Sequence, residues 1–144
     1  MQQLSEKWKI TLPKIKNLRF HHVDDDAQII TGDGITAIKI DDNMLPHLAE
    51  IEILKKFPAI TVDMGAIKFV CNGADIMRPG IVKISDFEQN DIVCVVEESS
   101  NKFLSVGIAK ISSSEANSMK TGMVVKNLHY ISDKYWEIKK EIKD

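Results

Sequence analysis

The residues best suited to chemistry lie in one stretch, Asp63–Ile81, which holds three of the chain's seven glycines. Gly73-Ala74 leaves backbone N–H groups sterically open, which suits the close approach of a phosphate or a ribose. Arg78 precedes a proline, so its backbone is held extended and its guanidinium has few directions available. Lys68 is expected on the outer face of a short helix. On the residues alone, ordinary turn chemistry between a helix and a strand is the favoured interpretation, and an anion-binding corner is the alternative.

The sequence offers little else for catalysis or metal binding. It has no phosphate-binding GxxxxGKS/T loop and no GxGxxG, CxxC, HExxH or GxSxG motif. His21-His22 lies beside Asp24–Asp26, but adjacent strand residues point to opposite faces, so both imidazoles would rarely reach one ion. Cys71 and Cys94 stand in apolar sequence and are expected as core thiols. Asp63 has no matching acid or nucleophile and is expected to cap a helix. We therefore predict no enzyme, no metal and no cofactor.

Composition places the chain among soluble globular proteins. Its 144 residues are 44% apolar and 28% charged. The net charge of −2 excludes a strongly basic protein that coats nucleic acid, although a local basic patch remains compatible with it. No apolar run approaches the roughly 20 residues of a membrane span, and the first eight residues lack a signal-peptide core. Two cysteines are too few for a disulfide framework. A cytoplasmic location is expected.

The first part of the chain predicts a small unit of strands and one helix. Residues 27–40 form a predicted hairpin whose turn contains Gly32-Asp33-Gly34, and residues 19–23 are a predicted third strand. A helix is expected to begin at Asp42 or Asn43 and to end before a proline at position 58. Its apolar stripe recurs every three residues: Leu45, Leu48, Ile51 and Leu54.

The second part predicts a small barrel. Asp63 should cap a helix over residues 64–71, which Asn72-Gly73 ends because glycine tolerates the left-handed conformation. Gly107 marks a bulge or a close backbone approach, and Ser112–Glu115 fits a capping box that starts another short helix. The inner face of the first helix is assigned to Met64, Ile67, Val70 and Cys71, and the strand-like segments are 81–84, 92–97, 103–111 and 123–130.

Several of these motifs, taken together and in order, resemble a PUA domain, the module named after pseudouridine synthases and archaeosine transglycosylases. The match covers about residues 58–134. The flanking residues resemble the malignant T-cell-amplified sequence and translation machinery-associated family, as an archaeal relative with a shorter start. The PUA motifs are Val62–Val70, Gly73–Ile81, Val106–Ala109 and Leu128–Tyr130, and the flanking matches are Pro13–Lys16, the hairpin, Leu54–Pro58 and Asn127–Asp133 with Trp136.

The resemblance implies an α+β fold in three parts. Residues 1–57 would form a small α/β pre-PUA domain, which we call the first unit. Residues 58–134 would form a PUA pseudo-barrel of mostly antiparallel strands with short helices, which we call the barrel. Residues 135–144 would be a carboxyl-terminal tail. The first unit is too small to be stable alone, so it should share an apolar interface with the barrel.

The resemblance also implies RNA binding beside the short helix and its glycine turn. Lys68, Arg78 and Lys126 would pair with phosphates, Met77 would meet a base, and His129 would stack or donate. The complete implied surface is Lys68, Gly73, Ala74, Asp75, Met77, Arg78, Lys126 and His129.

The partner implied by the resemblance is RNA, either the CCA end of tRNA or structured ribosomal RNA. A small ribosomal subunit or a translation factor is a further expected partner, whereas DNA and membranes are not expected. PUA modules inside enzymes deliver RNA to a separate catalytic domain, and 144 residues leave no room for one. The alternatives are a protein-interaction adaptor and an accessory subunit of an RNA-modifying enzyme.

Overall fold

The computed structural model describes Trp8 and residues 15–142, and its first part is a four-stranded antiparallel sheet. The predicted hairpin and the third strand are confirmed. Asp33 and Gly34, in the hairpin turn, both have positive φ, as the tightest hairpin turns require. The strands pair in sequence order and are β1 (Arg19–Asp24), β2 (Ala27–Gly32), β3 (Ile35–Ile40) and β4 (Asn43–Pro46).

The helix predicted from Asp42 or Asn43 is wrong in most of its length. Residues 43–46 are β4, which pairs with β3, and the N–H of His47 continues the pairing by donating to Thr36. Helix α1 is confined to Ile51–Leu54. The spacing of three was misleading because a strand and a loop each bury one leucine of the stripe, whereas Ile51 is 43% exposed. Tertiary pairing thus overrode the local pattern.

The second part is a six-stranded, barrel-like sheet, so the α+β class is confirmed. Its neighbouring strands are antiparallel except for the parallel pair β5–β8. The strand order is β6-β10-β9-β8-β5-β7. The strands are β5 (Ala59–Val62), β6 (Ile76–Met77), β7 (Ile81–Ile84), β8 (Ile92–Glu97), β9 (Phe103–Ala109) and β10 (Met123–Tyr130), with helices α2 (Ile67–Val70) and α3 (Ser113–Ser118).

Two predicted caps are confirmed, and one predicted helix is shorter than expected. The Asp63 carboxylate accepts the N–H of Ala66 at 3.0 Å, and the Ser112 hydroxyl accepts the N–H of Glu115 at 3.2 Å. However, residues 64–66 form a 3-10 turn before α2 begins. The tighter turn rotates the start of the predicted helix, so Met64 is 51% exposed and does not belong to the inner face.

Replacement of Asp63 with alanine should lower the free energy of unfolding by about 1 kcal/mol, because the Ala66 N–H loses its side-chain acceptor and keeps only the Asp63 carbonyl, at 3.1 Å. Urea denaturation measures this change. Replacement with asparagine is the matched control, since its side-chain oxygen can still accept the bond. A D63A midpoint equal to that of the wild type would contradict the cap.

Apolar side chains join the two sheets, as predicted for an interface between the first unit and the barrel. Leu45, Leu48 and Leu54 from the first unit pack in one buried cluster with Cys94 of β8 and Val106 of β9. The boundary between residues 57 and 58 stays a prediction. Among the helices in the described part of the chain, none has the length and apolar character needed to cross a bilayer.

The segment assigned as a tail is mostly helical. Helix α4 covers Lys134–Glu141, and Asp133 caps it by accepting the N–H of Trp136. Tyr135 is buried in a cluster with Ile29 and Ile38 of the first sheet. The helix therefore connects the end of the barrel with the first unit.

Candidate nucleic-acid interface

Helix α2 ends in a glycine turn that we call the Gly73 corner (residues 72–75). Gly73 has a φ of +92°, as predicted for a helix stop. Its N–H donates to the Val70 carbonyl at 3.1 Å, and the Ala74 N–H donates to the Phe69 carbonyl at 3.0 Å. This pair of bonds is the Schellman pattern, which satisfies the last carbonyls of a helix. The expectation that these two N–H groups are open to a phosphate is therefore wrong.

The corner is nevertheless accessible on one side. Ala74 is exposed, whereas the other side of Gly73 packs against Tyr130. A Cβ at position 73 would lie 3.2 Å from Cε1 of the Tyr130 ring. Glycine is thus required both by its positive φ and by the tyrosine next to it. Tyr130 was not among the predicted site residues, and its contact with the corner is visible only in the folded chain.

Asn127 of β10 holds the Gly73 corner in place. Its side-chain N–H groups donate to the carbonyls of Val70 and Ala74, both at 3.0 Å. Its backbone N–H donates to the carboxylate of Asp75 at 3.0 Å. Asp75, predicted as an RNA contact, therefore uses one oxygen to fasten the corner to β10. Asn127 was missed because it lies 52 residues from Asp75 in the sequence.

Replacement of Asn127 with alanine should cost about 1–2 kcal/mol of stability, because the hydrogen bonds from its side chain to the Val70 and Ala74 carbonyls are lost. N127D should cost more, since a carboxylate would face those two carbonyl oxygens. Urea denaturation measures both changes. N72A, an exposed change in the same turn, should stay within about 0.5 kcal/mol. If N127A matched N72A, Asn127 would have no part in holding the corner.

The two predicted cations near the corner, Lys68 and Arg78, differ in exposure and in hydrogen bonding. Lys68 is exposed, as expected, and its Nζ lies 5.1 Å from the centre of the Phe69 ring. Arg78 is half-buried: its Nε donates to the Ala116 carbonyl at 2.7 Å and its Nη1 to the Ile81 carbonyl at 3.2 Å. These bonds hold the turn after β6 and leave Nη2 for an external ligand.

Exposed apolar side chains accompany the cations. Phe69 is 58% exposed, and Met77 of β6 is 48% exposed opposite Met123 of β10. Methionine adapts to flat apolar surfaces, so the predicted contact of Met77 with a base is compatible with its position. Phe69 was missed, although its helical phase one residue after Lys68 could have indicated it.

The last two predicted residues do not join the corner. Lys126 is exposed on β10, but it precedes Asn127, so its side chain leaves the opposite face of the strand. His129 is fully buried, where its Nε2 accepts the Leu48 N–H at 3.0 Å. The prediction that His129 stacks on or donates to RNA is wrong, because its ring lies between the barrel and the first unit.

Neither cysteine has the environment of a nucleophile. Burial raises the pKa of the Cys94 thiol to about 12. Burial also raises the pKa of the half-buried Cys71 thiol, against a smaller opposite effect of Lys102. Both thiols therefore stay protonated at neutral pH. Across Trp8 and residues 15–142, no three histidine, cysteine, aspartate or glutamate side chains are grouped to hold a metal ion.

Comparison with known sequences identifies the family to which the barrel segment of the chain is similar. Residues 58–131 match the PUA domain. An uncharacterised protein of Methanocaldococcus jannaschii is 39% identical in an alignment of 132 positions that covers 89% of this chain and 80% of that protein. Human malignant T-cell-amplified sequence 2 is 35% identical in an alignment of 102 positions that covers 65% of this chain and 56% of that one.

A relative with a functional name is translation machinery-associated protein 20 of Schizosaccharomyces pombe. It is 31% identical in an alignment of 114 positions that covers 75% of this chain and 63% of the yeast protein. The chain therefore spans less than two thirds of the length of its human and yeast relatives.

A solved structure extends the likeness to both sheets. A hypothetical protein of Pyrococcus horikoshii OT3 superimposes with a TM-score of 0.78 at 28% identity, covering 95% of this chain and 90% of that one. The likeness therefore includes the first unit and is not confined to the barrel. Sequence match, fold and relatives agree: the chain belongs to the PUA-domain family and is related to the malignant T-cell-amplified sequences and translation machinery-associated protein 20.

Proposed function

We propose that this protein is a non-catalytic, cytoplasmic RNA-binding factor of translation that recognises the CCA end of tRNA or structured ribosomal RNA. Its membership of the PUA family and its translation-associated relative in yeast support this function. A small ribosomal subunit or a translation factor would be its protein-containing partner. The proposed contacts are Lys68, Gly73, Ala74, Met77 and Arg78, with Lys126 on the other face of β10 as an outlying phosphate contact.

The observation that carries the proposal is the composition of the exposed surface around the Gly73 corner. Lys68 supplies an exposed positive charge, and Phe69 and Met77 supply exposed apolar surface. The nearby Asp75 carboxylate accepts a hydrogen bond from the backbone N–H of Asn127 in β10. Recognition of unpaired RNA combines phosphate contacts with stacking or apolar contact to bases, and this surface offers both.

The net charge of −2 requires that affinity come from this focused surface and not from the whole protein. Each phosphate of single-stranded RNA neutralised by the protein adds about −0.7 to the slope of log affinity against log salt. If Lys68, Arg78 and Lys126 each neutralise one phosphate, the slope should be about −0.7 × 3, or roughly −2.

A salt titration tests the proposal. A tRNA acceptor-stem hairpin that ends in CCA should bind with the slope given above, and K68Q should make the slope shallower by about 0.7. K39Q is the matched control, because Lys39 is also an exposed lysine but lies on β3 of the first unit. Equal slopes for K68Q and the wild type, or binding indifferent to salt, would favour the adaptor function instead.

A second arm of the same titration separates the two RNA classes. The hairpin without its CCA end should bind at least tenfold more weakly if the unpaired end is recognised. Equal affinity for the two hairpins would favour recognition of structured RNA. Capture of a modifying enzyme in place of ribosomal subunits from a lysate would favour the accessory-subunit function.

A further inference from the structure

Two buried histidines join three segments of the chain at a single point. His47 and His129 are 1% and 0% exposed, and their ring centres lie 4.7 Å apart. His47 follows β4 in the first unit, and His129 belongs to β10 of the barrel. Asp133, 7% exposed, accepts from His129 and caps α4. The cluster thus connects the first unit, the barrel and the last helix.

Backbone N–H groups determine where each imidazole carries its proton. Leu48 donates its N–H to Nε2 of His129 at 3.0 Å, so that nitrogen is the acceptor and Nδ1 carries the hydrogen toward Asp133. Ala49 donates its N–H to Nδ1 of His47 at 2.9 Å, so Nε2 of His47 carries the hydrogen and donates to the Tyr135 carbonyl at 3.1 Å. An imidazole that accepts a hydrogen bond on one nitrogen is neutral.

We propose that His47, packed against His129, is an acid-sensitive latch that holds residues 47–49 and α4 on the barrel while its ring is neutral. Protonation of His47 places an N–H on Nδ1, against the Ala49 N–H that this nitrogen accepts. The Ala49 bond must then break, and the loop of residues 47–49, which also carries the Leu48 N–H, must move away. The two adjacent amides belong to the first unit, so the same event loosens its contact with the barrel.

The charged groups around His47 favour the neutral ring. Burial is the main cause that lowers the pKa of His47, to about 4. Lys139 of α4 acts in the same direction, whereas Asp133 and the Tyr135 carbonyl oppose it. The stacked neighbour from α4 is an indole, Trp136, with a ring-centre distance of 6.0 Å, and it supplies no countercharge.

The direction of the pH effect follows from these positions. The released ring binds a proton near its ordinary pKa of 6.5, and the latched ring does so at about 4. The released state therefore binds more protons between these values, so the latch is complete above pH 6.5 and weakens as the pH falls toward 4. From pH 7 to pH 5, the opening equilibrium should shift toward release by about 20-fold.

Amide hydrogen exchange on the full chain reads the latch directly. The protection factors of the Leu48 and Ala49 amides, corrected for intrinsic exchange, should fall about 20-fold between pH 7 and pH 5. The Val95 amide, in the interior of the barrel, should change less than threefold. In H47N the pH dependence at Ala49 should disappear, because the asparagine oxygen can accept the bond and does not titrate in this range. H22N, which alters an exposed histidine, should behave as the wild type.

Two results would overturn the proposal. Protection at Leu48 and Ala49 that does not change between pH 7 and pH 5 in the wild type would show that His47 does not act as an acid-sensitive latch. Nitrogen-15 spectra of the wild-type imidazoles at pH 7 supply a test that needs no variant. The latch requires hydrogen on Nε2 of His47 and on Nδ1 of His129, and the opposite tautomers would remove its basis.

Discussion

Alanine at position 107 should unfold the barrel, with a loss of at least about 3 kcal/mol in the free energy of unfolding. The α-carbon of Gly107 in β9 faces the backbone of β10. An added Cβ would lie 2.1 Å from the Lys126 carbonyl oxygen and 2.7 Å from a methyl group of Val125. The Val125 side chain could rotate away from the added Cβ. The Lys126 carbonyl belongs to the backbone of β10, however, and it can move only if β9 and β10 separate. Urea denaturation followed by circular dichroism measures the loss.

The control for this change is G80A. A Cβ at position 80 would lie 3.6 Å from the Ala66 methyl, an ordinary contact, so G80A should stay within about 0.5 kcal/mol of the wild type. A G107A protein with an unchanged midpoint would mean that β9 and β10 are not in this register. The test therefore also examines the strand that carries Asn127.

Replacement of Asp133 with alanine should cost about 3–5 kcal/mol, because a buried carboxylate that accepts three hydrogen bonds is removed. The carboxylate accepts from His129 Nδ1 at 2.8 Å, from the Tyr130 N–H at 2.9 Å and from the Trp136 N–H at 2.8 Å. All three donors would be left without this acceptor, and α4 would lose its cap. Thermal and urea unfolding of the full chain measure the effect.

D133N separates the cap from the charge. Asparagine is also a good cap, so D133N should keep the α4 start and cost less than D133A. D25A is the control, since Asp25 is exposed on the turn between β1 and β2, and it should change stability by less than about 0.5 kcal/mol. Equal costs for D133A and D25A would contradict the buried network.

The Asp133 carboxyl also predicts a second loss of stability at acidic pH. Burial tends to raise the pKa of its carboxyl, but the hydrogen bonds from His129 and from the backbone N–H groups of Trp136 and Tyr130 outweigh this, so the pKa lies below its ordinary 3.8. A depressed carboxyl pKa gives stability that is present above 3.8 and lost as the pH falls further. This loss of stability occurs below the pH range in which His47 titrates.

The strands could be predicted from the sequence because their signals are local. Alternating or continuous β-branched residues and glycine turns predicted β1–β3 and β7–β10. The helix expected after Asp42 failed because β4 takes its hydrogen bonds from β3, a partner that apolar spacing does not reveal. Likewise, the stop at Gly73 was predictable, but the use of its N–H by Val70 depends on the turn that the helix end adopts.

The candidate site was predictable in part. The motif around Lys68 and Gly73 identified the corner, whereas Asn127 and Tyr130 reach it from a strand more than 50 residues away. His129 was assigned to the RNA-binding surface by the family resemblance. In the fold, the His129 ring is buried and accepts the N–H of Leu48, which lies 81 residues earlier in the sequence. Such contacts depend on how the first unit packs, which no local pattern contains.

The most direct test of the central claim is to map the RNA contact on the protein. Amide chemical shifts of the uniformly labelled chain would be followed while the CCA-ended acceptor hairpin is added. We expect the largest changes at residues 68–78 and at Asn127 and Tyr130, with saturation at one RNA per protein. Changes confined to the first sheet, residues 19–46, or no changes at all, would contradict the claim that the Gly73 corner binds RNA.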